Sequence, residues 1–176
     1  MSVVMLTGFM GTGKTTVARL LAERLHKPFI DTDARIQSAE GCPIAAIFAT
    51  KGEPYFRALE RQAVAEAARE DAIVATGGGA IVDPVNFRCM HAAGPIVCLT
   101  ADVDVIVQRT ADDASRPLLD AGERRARVSQ LLGARAAAYA QADVTIDTSQ
   151  RTIEAVVEEI LSFLGRSRGR RDGVRP

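Results

Sequence analysis

Between a short apolar run, Val3 to Thr7, and a stretch with apolar residues at helical spacing, Val17, Leu20, Leu21 and Leu25, lies the octet Gly8-Phe9-Met10-Gly11-Thr12-Gly13-Lys14-Thr15. It fits G-x-x-x-x-G-K-[ST] in the strand-to-helix context that gives this pattern meaning. Glycines let the main chain curl until successive N–H groups face one point, and the following helix adds the positive end of its dipole. Such a curl accepts a phosphate. In that arrangement the Lys14 ammonium reaches the β- and γ-phosphates of a nucleotide and the Thr15 hydroxyl is a ligand for Mg²⁺, with Gly11, Thr12, Gly13 and Thr16 completing the cradle.

The rest of the chain alternates strand and helix signals. Pro28-Phe29-Ile30 reads as a second strand running into Asp31-Thr32-Asp33, and Ala72 to Ala75, Pro95 to Leu99 and Val144 to Ile146 read as three more. Helical signals cover Ala34 to about Glu70, broken at Gly41 to Pro43 and at Gly52 to Pro54. They return at Val103 to Arg109, at Arg124 to Ala140, and in the final stripe Ile153, Val156, Val157, Ile160, Leu161 and Leu164. Ala111 to Glu123 mixes charges with Pro117 and Gly122 and reads as a loop. Crossovers long enough for parallel pairing predict an α/β fold with a parallel sheet covered on both faces.

A chain of 176 residues, 47% hydrophobic and 25% charged, is the size of one domain and too apolar for a disordered polymer. No apolar run approaches the roughly 20 residues of a membrane span. Basic and acidic side chains number 22 each, but Gly165 to Pro176 holds five arginines and one aspartate, so residues 1–164 carry four more acids than bases. A body of that sign is a poor nucleic-acid binder, and the basic end is expected to be a disordered tail. Cys42, Cys89 and Cys98 are odd in number and lack C-x-x-C spacing, which predicts reduced thiols rather than disulfides or a zinc site. The opening residues lack a basic segment and a long apolar one, so a signal peptide is not expected and the cytoplasm is.

Asn86 is the sole asparagine, which excludes a guanine-reading N-K-x-D, and no D-x-x-G occurs, so ATP is the expected nucleotide. Asp31 and Asp33 flank Thr32 at a strand end, where extended backbone points residues two apart to one side. They read either as carboxylates facing the phosphates, one on a metal-bound water and one on an acceptor hydroxyl, or as an acidic turn with a helix cap. Gly77-Gly78-Gly79 follows the third strand and reads either as close backbone approach to a ligand or as a flexible loop. Arg57 and Glu60 are three apart on a helix, and Arg135 and Tyr139 four apart on a later one. Spacing alone does not separate these arginines from solvated surface charges. His26 and His91 suggest no catalytic role.

Taken in order, Gly8 to Thr15, Asp31-Thr32-Asp33, Glu53-x-x-Phe56-Arg57-x-x-Glu60, Gly77-Gly78-Gly79-Ala80, Arg116-Pro117-Leu118-Leu119 and Arg135-x-x-x-Tyr139 resemble the shikimate kinases, over about residues 2–164. The resemblance implies a three-layer P-loop kinase fold, a five-stranded parallel sheet of order 2-3-1-4-5 and a mobile lid at about 111–123. It places substrate-binding residues at about 32–60. It implies transfer of the γ-phosphoryl group of ATP, with Mg²⁺, to the 3-hydroxyl of shikimate, by a monomer with no nucleic-acid or membrane partner. Carried over residue by residue, Asp33 binds the shikimate hydroxyls and serves as base, and Asp31 lies near the metal through water. Arg57 and Arg135 grip the substrate carboxylate, and Gly77, Gly78 and Gly79 contribute backbone contacts. Arg116 belongs to the lid, with Lys14 and Asp33 completing the catalytic set. Arg109 and Arg151 contact the adenine end, where Ile153 replaces a proline found in some members.

A loose phosphoryl-transfer transition state makes catalysis mainly positioning and charge neutralisation. Since an unperturbed aspartate titrates near 3.9, Asp33 is expected to orient the hydroxyl first and accept its proton second. Two other readings remain open on the residues alone. One is a kinase of the same fold for another hydroxy acid such as gluconate, and the other is a nucleotide-binding module without turnover.

Overall fold

The computed structural model describes residues 3–111 and 124–172. The chain runs β1 (Val4–Gly8), α1 (Lys14–Leu25), β2 (Phe29–Asp31), α2 (Thr32–Glu40), α3 (Ile44–Ala67) and β3 (Ile73–Ala75). A 3₁₀ turn at Ala80–Val82 and α4 (Pro84–Ala93) lead to β4 (Ile96–Thr100), followed by α5 (Val103–Arg109), α6 (Arg124–Tyr139), β5 (Val144–Asp147) and α7 (Ile153–Asp172). All pairings are parallel, in the order β2-β3-β1-β4-β5. β1 is the middle strand, with Met5 opposite Val74 on one side and Ile96 on the other.

Alternation along buried strands assigns the layers. Val3 and Met5 join Val74, Ile96 and Cys98 in one core that is closed by residues of α3, α4, α5 and α6, including Val64, Met90, Ile106 and Val128. Val4 and Leu6 point the other way, against Val17 and Leu21 of α1 and Val156, Val157 and Ile160 of α7. Each such fully buried side chain contributes about 1.5–3 kcal/mol by leaving water. A third, smaller cluster of Ile36, Ile47, Phe56 and Ala63 joins α2 to α3 beside the sheet.

Local chemistry explains most boundaries. α1 stops at His26, a non-glycine residue in the left-handed region (φ 51°), where the Lys27 N–H reaches back to the Ala22 carbonyl at 2.9 Å, with Pro28 preventing continuation. The break expected at Gly52 to Pro54 is a kink inside α3, with Gly52 at φ 82° and ψ 169°. α4 carries no sequence-based expectation above. Its start is nonetheless written in Asp83-Pro84: the Asp83 carboxylate accepts the Val85 N–H at 2.7 Å and Pro84 takes the first helical turn. At the far end α7 continues through Asp172, so the tail expected to be disordered from residue 165 begins as helix. The charge and sparse apolar content after Leu164 hid this, because an apolar stripe at helical spacing is the main signal by which a helix is read from sequence. Residues 112–123, which include Arg116 and all but the first residue of the lid expected at about 111–123, lie outside the described residues.

The chain reverses its direction of progress across the sheet at β1: β2 and β3 lie to one side, β4 and β5 to the other. Ligands of open parallel sheets bind beyond the carboxyl ends of the strands at such a reversal. Gly8 ends β1 and Gly77 follows shortly after β3, so both glycine-rich segments open there.

Candidate active site

The loop from Gly8 to Gly13 curls between β1 and α1. Gly13 caps α1 with φ 86° and ψ 15°, a conformation that disfavours residues with a Cβ. The Phe9 carbonyl accepts the Thr12 hydroxyl at 2.7 Å and the Lys14 ammonium at 2.8 Å, folding both side chains into the turn. Thr12 is fully buried, while Gly13 and Lys14 are half-buried. Thr15 and Thr16 stand in the first turn of α1.

Thr15 Oγ1 donates to Asp31 Oδ2 at 3.0 Å. The other oxygen of Asp31 accepts the Ala34 N–H at 3.1 Å and so caps α2. Asp31 is therefore the cap of α2, as one reading of the acidic turn expected, and it also meets Thr15 at the start of α1. The expectation that Asp31 and Asp33 project from one extended strand needs correction, because the chain has already entered α2 at Thr32. Asp33 lies in the first turn of that helix and faces a different neighbourhood from Asp31: an added Cβ at Gly77 would sit 2.6 Å from Asp33 Oδ1 and 3.1 Å from Glu60 Oε1. Only a residue without a side chain leaves that carboxylate its place.

Asp33 lines a cavity of about 340 Å³ together with Arg57, Glu60, Gly77, Gly78, Gly79 and Arg135, and with an apolar wall that includes Ile44, Phe48 and Phe56. Met10 closes it on the side of the phosphate loop. Contact between the two regions is direct, since a Cβ at Gly78 would lie 3.0 Å from the Gly8 carbonyl oxygen. The cavity thus gathers all six residues expected to bind substrate, from α2, α3, α6 and the turn after β3.

Arg57 is held on two sides. Its Nη1 pairs with Glu60 Oε2 at 2.9 Å, and its Nε and Nη2 both reach Glu53 Oε1, at 3.1 and 3.0 Å. Glu60 is 1% exposed. Burial pushes its carboxyl above the usual range, a rise that Arg57 opposes and that Asp33 and Asp83 reinforce. Removing Arg57 would strand a buried charge, at a cost near 3 kcal/mol. An added Cβ at Gly79 would come within 3.0 Å of Arg57 Nη1. Arg135 reaches the cavity from α6, with its guanidinium 5.5 Å above the Phe9 ring.

Four residues without an assigned site role hold the framework. Thr32 Oγ1 accepts the Gly77 N–H at 3.2 Å, and Tyr139 Oη donates to the Gly78 carbonyl at 2.8 Å. Burial raises the Tyr139 hydroxyl above its ordinary pKa. Glu60 anchors Arg57, and Thr148 bonds to the phosphate loop from the far side. Helical spacing had paired Glu60 with Arg57 and Tyr139 with Arg135, whereas Thr32 and Thr148 carry no sequence signal.

The two arginines expected at the adenine end differ. Arg109 donates to the Gly11 carbonyl at 3.2 Å and to Thr148 Oγ1 and O at 3.1 and 2.8 Å, which places it against the outside of the phosphate loop. Arg151 folds onto α7, donating to the Ala155 carbonyl at 3.0 Å and pairing with Glu159. Ile153 lies beside Gly13, its Cδ1 3.8 Å from where a Cβ would be. Among the described residues no cluster of three or more His, Cys, Asp or Glu side chains could hold a metal on its own. The adjacent oxygens of Thr15 and Asp31 do suit Mg²⁺, which takes hard oxygen donors from one or two side chains and completes its shell with water and phosphate. None of the described helices is long and apolar enough to cross a membrane.

Comparison with known proteins agrees with this geometry. The model of the shikimate kinase family matches residues 10–165. A shikimate kinase of Geobacter metallireducens is 45% identical over 162 residues, which are 92% of this chain and 90% of that protein. The solved shikimate kinase from Acinetobacter baumannii in complex with shikimate superposes with a TM-score of 0.91 at 36% identity, covering 95% of this chain and 94% of that one. A gluconokinase from Sinorhizobium meliloti, at 18% identity and a TM-score of 0.61 over 94% of this chain and 92% of that one, shares the fold alone. With a matching family model, high identity over nearly the whole length and a P-loop beside an arginine-lined cavity, this chain belongs to the shikimate kinase family.

Proposed function

We propose that the protein transfers the γ-phosphoryl group of ATP to the 3-hydroxyl of shikimate, producing shikimate 3-phosphate and ADP. The observation that carries this reading is the cavity that adjoins the phosphate loop and is lined by Asp33, Arg57 and Arg135. Two guanidinium groups suit a carboxylate, a half-buried aspartate suits hydroxyls, and the apolar wall suits a carbon ring. A linear sugar acid matches the charge but gains little from Phe48 and Phe56.

In this reading Arg57 and Arg135 fix the acid so that one hydroxyl lies toward the phosphate loop, and Asp33 orients that hydroxyl and receives its proton as the oxygen bonds to phosphorus. The loop amides and Lys14 hold the β- and γ-phosphates, and Gly11, Thr12, Gly13, Thr15 and Thr16 surround them. Thr15 and, through water, Asp31 would hold Mg²⁺, which when bound neutralises charge on the phosphoryl oxygens. Arg116, within a lid at about 111–123, adds a further positive charge over the phosphates. Arg109 and Arg151 border the adenine. Residues 1–164 form the catalytic domain, with the acceptor region at 32–60. The enzyme works as a cytoplasmic monomer, which gel filtration and fractionation would check.

Release of ADP by the purified protein with shikimate, quinate, gluconate or no acceptor tests the assignment. Shikimate should be turned over at least tenfold faster than the others. Equal rates with gluconate, or no ADP with any acceptor, would refute it.

A further inference from the structure

We propose that Thr148, just after β5, is a positioning residue that keeps the phosphate loop in its phosphate-accepting shape. The proposal rests on the reading of that loop as the site of the nucleotide phosphates.

Thr148 is 3% exposed and every polar atom it has is engaged. Its N–H donates to the Thr100 carbonyl at 2.8 Å and its carbonyl accepts Arg109 Nη2 at 2.8 Å. Its hydroxyl accepts Arg109 Nη1 at 3.1 Å and shares its own proton between the carbonyls of Thr100, at 3.0 Å, and Thr12, at 3.1 Å. The same Nη1 of Arg109 reaches the Gly11 carbonyl at 3.2 Å. Two consecutive carbonyls of the loop, those of Gly11 and Thr12, are therefore held from outside by one arginine and one threonine.

The direction of those carbonyls decides the direction of the amides. No cis peptide occurs among the described residues, and in a planar trans peptide the C=O of one residue points opposite to the N–H of the next. Holding the Gly11 and Thr12 carbonyls outward turns the Thr12 and Gly13 N–H groups inward, which an anion-binding curl requires. Without the Thr148 hydroxyl, the Thr12 carbonyl loses its outside partner and Arg109 loses one of its acceptors. The Thr12–Gly13 peptide can then rotate and present oxygen where phosphate should lie. Thr148 touches no phosphate in this arrangement. It acts through the loop.

Calorimetric titration with ADP and, separately, with adenosine tests the idea, using wild type, Thr148→Val and Thr148→Ser. Val keeps the shape and lacks the hydroxyl, so ADP affinity should fall about tenfold while adenosine affinity stays within twofold, and Ser should restore ADP binding. Steady-state kinetics should show the same split, with a raised KM for ATP and an unchanged KM for the acceptor. Equal weakening of ADP and adenosine would make Thr148 part of the base site and overturn the proposal, as would unaltered ADP binding. Should the Val variant not fold, Thr148→Ala, which also lacks the hydroxyl, must weaken ADP more than adenosine or the proposal fails. Wild type that does not bind ADP would refute the reading of the loop itself.

Discussion

The phosphate loop and the acceptor cavity touch at Gly78, yet they are made of different material. The loop is a curl of main chain, in which side chains such as those of Thr12, Arg109 and Thr148 bond to loop carbonyls and, in the proposed reading, the amides and Lys14 face the ligand. In the cavity the groups are charged side chains carried by α2, α3 and α6, held by one another through the Arg57 pairs with Glu53 and Glu60. A backbone cradle recognises what all nucleotides share. A cavity of side chains, each on its own helix, can be altered one residue at a time, which is how a common kinase fold comes to accept one acid rather than another.

That contrast can be broken by exchanging the kinetic signatures of the two regions. The largest effect is expected at Lys14→Ala, with kcat reduced about 10²- to 10³-fold and acceptor KM nearly unchanged. Arg135→Ala should instead raise acceptor KM about 10- to 100-fold, the equivalent of one charge-assisted hydrogen bond, with ATP KM within twofold. Arg57→Lys is the better probe of the other arginine than Arg57→Ala, since it keeps a cation beside the buried Glu60 and should give a smaller rise in acceptor KM. Rapid-quench and steady-state assays separate these outcomes. If Lys14→Ala acts on acceptor KM and Arg135→Ala on kcat alone, the division between the regions is wrong.

Gly77→Ala sharpens the comparison at the border. Its new methyl would meet Asp33 Oδ1 at 2.6 Å, so kcat/KM should fall about tenfold, a barrier change near 1.4 kcal/mol. Gly133→Ala serves as its control, because that glycine lies inside α6 with nothing within 4 Å. It should leave the kinetics alone and raise stability by about 0.5–1 kcal/mol, read as the midpoint of urea unfolding. The smallest effect concerns the floor beneath the loop. Burial pushes the Cys98 thiol up to about 11, with Lys14 opposing the rise, so at pH 8 it stays protonated and inert. Mass spectrometry after brief alkylation should find Cys42 and Cys89, both half-buried, modified before Cys98. Early labelling of Cys98 would mean that water reaches the sheet under the phosphates.

Much of the framework was legible because it is local. Each of the five strands is a short apolar run bounded by glycine, proline or polar residues, and the phosphate loop is an uninterrupted octet whose function depends on its own backbone. α4 escaped notice because its Asp83-Pro84 start opens a helix with a weakly patterned face. α7 outran the expected tail because the residues after Leu164 carry no apolar stripe from which a helix could be read. Asp31 and Asp33 mark the limit of local reasoning: the assumption of extended backbone failed at Thr32, where the Asp31 cap starts a helix.

The sequence by itself determined the five strands, most of the helices between them and the glycine-rich octet that joins β1 to α1, since each depends on neighbours within one or two turns. Only the tertiary structure decided that Arg57 and Arg135, 78 positions apart, line one cavity, that Glu60 is buried beneath the first of them, and that Thr148 holds a loop more than 130 residues earlier. Those relations come from parallel strands that bring distant segments to one edge of the sheet. Hydrogen bonds and ion pairs form between whatever groups the packing sets within 3 Å, however far apart they stand along the chain.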